Sequence, residues 1–232
     1  IHSIVLPFFI AAAIAFINLI WIAIVYQETY IPKRKSPIRL LKVFSAFLFI
    51  FKDRRVRLLG AVYFLLLIGW GLYVQQSPLI VEKLYHFSPR MIGYFFFVLG
   101  IGFTAAMLFL QPMLTKHYRA RNIYIVTTLI VAMVVFILGF FPFVSFEWIG
   151  IFFVAIFFVI AYGGILSMVS DAVTADEQGQ AMGGIGAVGS LAFGFAALSL
   201  AYFSTVNILL PIVLAGIAYF ASGLLMLKHK KD

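Results

Sequence analysis

The chain of 232 residues contains no cysteine, which excludes disulfides, thiolate metal ligands and thiol nucleophiles and leaves the redox compartment unaddressed. Charge is also scarce: Asp, Glu, Lys and Arg make up 11% of the residues, where a soluble domain carries about a quarter. No G-x-x-x-x-G-K-S/T loop occurs, so nucleotide-driven chemistry has no support. The four histidines are scattered near chain and helix ends and form no metal-ligand spacing, and no nucleophile–base pair stands out. Neither a cofactor nor a catalytic set is expected.

What the chain does have is apolar length. Hydrophobic residues make up 64% and aromatics 18%, with a mean hydropathy of +1.11. This is the composition of an integral membrane protein. Seven stretches, at about 4–26, 58–80, 91–113, 123–144, 148–170, 181–204 and 207–227, are long enough to cross ~30 Å of hydrocarbon as helices. Ser88-Pro89 reads as an N-cap followed by proline at the first helical position, a good start for the third span. The first stretch is too long for a signal-peptide core and has neither basic residues before it nor a cleavage site after it. The chain opens on Ile1, and a fragment of a longer protein is expected.

The net charge of +9 is placed asymmetrically. Segment 27–57 carries nine Lys and Arg, the turn at 114–122 three and the tail three, which makes fifteen on one side of alternating spans. The other side has Lys83 and Arg90 alone. By the positive-inside rule the N-terminus faces out and the C-terminus faces the cytoplasm of a cell (inner) membrane. Basic residues so placed set topology at anionic headgroups rather than bind nucleic acid. Within 27–57, the apolar run Val43–Phe51 is too short to span and is flanked by Arg39, Lys42 and Lys52, so it reads as a helix lying in the interface.

Four local stretches add a pattern in order. Gln27-Glu28-Thr29 closes the first span, and QQSPLIVEKLYHFSPRMIGYFFFVLGIG fills 75–102. QPMLTKHYRAR occupies the turn at 111–121, and ADEQGQAMG leads into the sixth span at 175–183. Together they resemble the C-terminal half of a major facilitator superfamily transporter of the drug:proton antiporter branch, preceded by the sixth helix of the N-terminal half. The turn at 111–121 sits where that family repeats G-x-x-x-D-R-x-G-R-R. Lys116 and Arg119 match its basic positions, while Thr115 replaces the Asp and Tyr118 the second Gly. The implied domains are 1–26 as the last helix of the first half, 27–57 as a basic linker, 58–227 as a six-helix bundle and 228–232 as a tail.

The implied function is secondary active transport of a small organic solute or drug by alternating access, ion-gradient coupled, as in efflux antiporters. The implied partners are a small-molecule substrate, the lipid bilayer and the missing N-terminal half, with no nucleic acid. The rivals are a seven-helix receptor or retinal protein and a non-transporting fragment. A retinal pigment needs a Lys in its last helix, and 207–227 has none.

Two sets of residues follow. Trp70, Tyr73 and Gln76 cluster with Gly69 and Ser77 on one side of the second span, and Tyr162 precedes Gly163-Gly164 in the fifth. In the family these two helices line the central cavity, so these residues are substrate candidates. The structural reading makes them packing aromatics and an interfacial amide. Gly69 and Gly71 are candidates for loosening the helix around Trp70. Asn18 and Gln111 read as interhelical hydrogen-bonding residues. Second, Gly179, Gly183, Gly186 and Gly194 fall with Ser190 in one stripe of the sixth span, and Gly93, Gly100 and Thr104 make a similar one in the third. Such stripes admit a neighbouring backbone or let helices slide. No acidic residue lies mid-span, so a proton-relay group is expected on helices outside this chain.

Overall fold

The computed structural model describes residues 6–26 and 41–229. It divides into two compact units, 1–38 and 39–232. The first contributes α1 (Leu6–Val25), whose sequence carries Asn18 as its one amide and no charge. The second contains α2 (Leu41–Lys52), α3 (Arg57–Lys83), α4 (Pro89–Ala105), a π-helical turn (Ala106–Leu110), α5 (Gln111–His117), α6 (Ala120–Phe140), α7 (Val144–Asp171), α8 (Gln178–Val206) and α9 (Leu210–Met226). No strand occurs among the described residues.

Among the described residues, six helices are long and apolar enough to cross a membrane: α1, α3, α4 through α5 as one rod, α6, α7 and α8. The expected seventh span, α9, has 17 residues, about 26 Å at 1.5 Å per residue. α3, α4 through α5, α7 and α8 run longer than the apolar pattern alone suggests. α7 begins at Val144 rather than 148, and α8 at Gln178 rather than 181.

Local chemistry explains several boundaries. Ser88 Oγ accepts the Met91 N–H at 3.3 Å and Pro89 opens α4, as the sequence leads one to expect. The π turn lies just before Gln111-Pro112; Pro112 has no N–H for the carbonyl four residues back, and the wider turn absorbs the mismatch. Pro78 inside α3 leaves a similar gap, beside which the Ser77 hydroxyl bonds the Tyr73 carbonyl at 2.7 Å.

The core is built by α3, α6, α7, α8 and α9 around Leu66, Tyr73, Val135, Val154, Ile165, Val188 and Tyr219. In lipid there is no hydrophobic drive between helices, so close packing and small residues must hold them together. Gly139 and Gly216 serve this at the α6–α9 seam, against Val213 and Phe136. Within this unit α2 packs through the buried Ile50, which fits against Gly60 of α3 and Gly184 of α8.

Candidate functional site

The expected substrate residues lie on α3 and α7, which adjoin in the core. Trp70 is half-buried and stacks on Phe158 of α7, with centroids 4.0 Å apart and planes 10° from parallel. Phe103 of α4 lies 5.5 Å from the same indole. Phe158 leads to Tyr162 at 5.9 Å, and Tyr162 to Tyr63 of α3 at 5.9 Å. Trp70, Phe158, Tyr162 and Tyr63 thus make a continuous aromatic wall drawn from two helices. Offset and tilted aromatic pairs of this kind contribute about 0.5–1.5 kcal/mol each beyond area burial. Trp70 and Tyr162 are half-buried, while Phe158 and Tyr63 are buried.

Tyr73 and Gln76 do not join the open part of that wall. The Tyr73 ring lies 6.3 Å from Trp70, but the side chain is 1% exposed. Gln76 is also 1% exposed, and its amide NH2 donates to the Ile208 carbonyl at 2.6 Å while its oxygen accepts the Ser204 hydroxyl at 3.0 Å. It ties α3 to the α8–α9 turn. Gly69 and Gly71 do not loosen the helix, since α3 is continuous through both. Gly69 receives the Tyr219 ring and Gly71 receives Ala196. Gly163 of α7 likewise receives the Gln111 amide from across the bundle.

The glycine stripe of α8 needs a correction. Gly179, Gly183, Gly186 and Gly194 have nothing within 4 Å of where a Cβ would stand, so no backbone of the described residues packs there. The buried face is the other one: Ala181, Gly184, Ile185, Val188, Gly189, Ala192 and Ala196. Gly184 meets the Ala46 carbonyl of α2, and Gly189 meets Leu67 and Tyr63 of α3. α4 repeats the arrangement, with Gly93 and Gly100 open and Gly102 packed on Phe152 and Ala155 of α7. A helical wheel finds small-residue faces but does not choose between two of them.

Lys116 lies exposed in the last turn of α5, and Arg119 is the residue just before α6. In this turn Arg121 bridges helices, donating to the Leu227 carbonyl at 2.9 Å. A second charged knot lies just before α3. Arg55 pairs with Asp53 at 2.6 Å and with Glu177 before α8 at 3.0 Å. The hydrogen bond from Arg55 draws Asp53 below the usual carboxylate range, and Arg55 with the Thr174 backbone and hydroxyl draws Glu177 down to about 2.

Sequence reasoning missed Glu147. With α7 starting at Val144, this residue falls in its first turn and is 4% exposed. Glu147 is thus a buried acid at the start of α7, although it does not lie mid-span. The signal was present: the acid stands between Phe146 and Trp148 rather than among turn residues.

The family model described as Major Facilitator Superfamily matches residues 1–197. The chain belongs to that superfamily. Comparison with curated proteins and with solved structures returned no match. Membership in the major facilitator superfamily makes this a multi-pass membrane transport protein and accords with its apolar helices.

Proposed function

We propose that this chain is the C-terminal part of a secondary active transporter that moves a flat, largely apolar organic solute by alternating access. α9 completes seven spans, with the N-terminus outside and the basic segments in the cytoplasm of the cell membrane. The aromatic wall of Trp70, Phe158, Tyr162 and Tyr63 is the observation that carries the reading. It is ordered by stacking on two helices of the core, yet Trp70 and Tyr162 stay partly open. The open small-residue stripes of α4 and α8 support a second half that meets them and slides. Energy comes from an ion gradient, and the drug:proton antiporter branch is the nearest pattern in the sequence.

By itself the 232-residue chain is expected to give no saturable, gradient-driven uptake in proteoliposomes. Joined to a preceding five-helix segment it is expected to give uptake of an aromatic dye. In that assembly Trp70→Ala weakens the half-saturating dye concentration by up to about tenfold, the loss of about one stacking interaction. Uptake unchanged in Trp70→Ala places the solute elsewhere, and uptake by the chain alone overturns the two-half reading.

A further inference from the structure

Gln111 reads from the sequence as an interhelical hydrogen-bonding residue, and the structure gives it a different place. Its main-chain carbonyl accepts the Thr115 hydroxyl at 2.9 Å, but its side-chain amide completes no hydrogen bond among the described residues. The residue is half-buried. It stands inside the continuous rod of α4 through α5, about 9 Å short of the rod's end at His117 at 1.5 Å per residue. A polar side chain without a partner within a membrane span is costly, and such residues mark the paths of solutes.

The amide itself rests on Gly163 of α7. A methyl group at Gly163 would fall on it, since the Gln111 Nε2, Cδ and Oε1 are the nearest atoms to that position. Gly163 directly follows Tyr162 of the aromatic wall. Phe158, which carries Trp70, lies five residues earlier, about 7.5 Å back along α7. Phe103 faces that end of the wall, 5.5 Å from Trp70 and 6.2 Å from Phe158. Gln111 follows Phe103 by eight residues on the same rod. In an uninterrupted α-helix it would stand about 80° round from Phe103. The π turn between them takes up one extra residue and brings the two to within about 20°. The irregular turn therefore sets a ring and an amide on one face of the rod, both against α7.

We propose that the Gln111 amide, seated on Gly163, is a specificity-determining residue at the end of the aromatic wall. It selects flat solutes that carry a neutral hydrogen-bonding group, a carbonyl or an N–H, about 7.5 Å from the ring stacked on Trp70. The substrate class rests on the transporter function proposed above. An amide offers two N–H donors and a carbonyl acceptor without charge, so it matches neutral polar groups of either kind. Stacking alone tells one flat hydrocarbon poorly from another, whereas a hydrogen bond at a fixed distance rejects the solute that lacks the group.

The test uses the purified 232-residue chain in detergent micelles with Trp21→Phe and Trp148→Phe, so that Trp70 is the sole indole. Two probes of one shape are titrated, para-acetylbiphenyl and para-isopropenylbiphenyl, in which a methylene replaces the carbonyl oxygen. With the distal ring on Trp70, the ketone reaches the level of Gly163. The saturable change in Trp70 emission gives each dissociation constant. The ketone is expected to bind about three- to tenfold more tightly than the hydrocarbon, the effect of one neutral hydrogen bond. Gln111→Met keeps the reach of the side chain and removes the amide. It should bring the ketone down to the hydrocarbon and leave the hydrocarbon within about twofold of wild type. Gly163→Ala should also abolish the preference while keeping the unfolding midpoint, because the atoms it displaces are the end of a flexible side chain. Equal binding of the two probes to the wild-type site, or a preference kept in either variant, overturns the proposal and leaves the aromatic wall standing. No saturable change with either probe removes the wall as a solute surface, and the proposal with it.

Discussion

α8 has two faces made of the same small residues, and they meet different surroundings. On one, Gly184 and Gly189 lie under α2 and α3, with Ala181, Ala192 and Ala196 buried beside them. On the other, Gly179, Gly183, Gly186 and Gly194 face open space. The packed face shows what a membrane bundle gains from glycine: the Ala46 carbonyl and the Tyr63 ring approach to where a side chain would stand. The open face keeps the backbone cost of glycine, about 1 kcal/mol each relative to alanine in a helix interior, with no contact within the described chain to offset it. The first face is therefore architecture. The second is open within the described bundle, and under the function proposed above it is where the other transporter half would meet α8.

The neighbours Gly183 and Gly184 stand on opposite faces of α8, so the same substitution should act oppositely at the two. Gly184→Ala puts a methyl group into the Ala46 carbonyl and the Ile50 side chain, and a backbone carbonyl yields little. It should cost about 1–3 kcal/mol as an overpacked contact. Gly183→Ala adds its methyl to open space and should gain up to about 1 kcal/mol of helix propensity. Thermal unfolding of the purified chain reads both, and the two signs should be opposite. A destabilised Gly183→Ala would mean that the open face is covered within the chain itself. If Gly183→Ala is stable but slows transport in the assembled protein, the sliding surface gains direct support.

α3 offers a second, smaller contrast between neighbours. The Gln76 amide is buried and bonds Ile208 and Ser204, whereas Gln75 is exposed and its amide returns to the Gly71 carbonyl of its own helix. Gln76→Ala strands two partners and should cost about 1–3 kcal/mol. Gln75→Ala should stay within about 0.5 kcal/mol of wild type. Equal melting shifts for the two would remove Gln76 as the tie between α3 and the α8–α9 turn.

The pattern of these contrasts shows which parts were legible in the sequence. Apolar length located the six spans from α1 to α8, because hydrocarbon thickness acts on composition alone. The Ser88-Pro89 start was readable because capping is local. The aromatic wall was half legible: Trp70 and Tyr162 could be named, but Phe158, which joins them, looks like any other phenylalanine in a run of apolar residues. What failed depended on long-range placement. The choice between the two faces of α8 is made by Ala46 and Ile50, far away in sequence. The burial of Glu147 turned on a four-residue shift in where α7 begins, a shift that local periodicity does not fix.

The smallest expected effect concerns the two ends of the charged knot before α3. Arg55 holds Asp53 two residues away and Glu177 across the chain, so one partner is local and the other links the start of α3 to the start of α8. Both carboxylates are lowered in the folded protein, Glu177 to about 2 from an ordinary 4.5. For a group lowered by folding, the stabilisation is fully present above the ordinary value and is lost as pH falls through the folded one. The unfolding midpoint should therefore decline between about pH 4.5 and pH 2, and Arg55→Gln should flatten part of that decline. Arg55 is exposed and both carboxylates are partly exposed, so about 1 M salt should screen much of the difference between wild type and variant. Glu177→Gln should reproduce the flattening more fully than Asp53→Asn, because only Glu177 joins separate helices and Asp53 stays beside Arg55 in the unfolded chain. An Asp53→Asn variant that flattens the profile as much as Glu177→Gln would reduce the knot to a local turn with no part in holding α8 against α3.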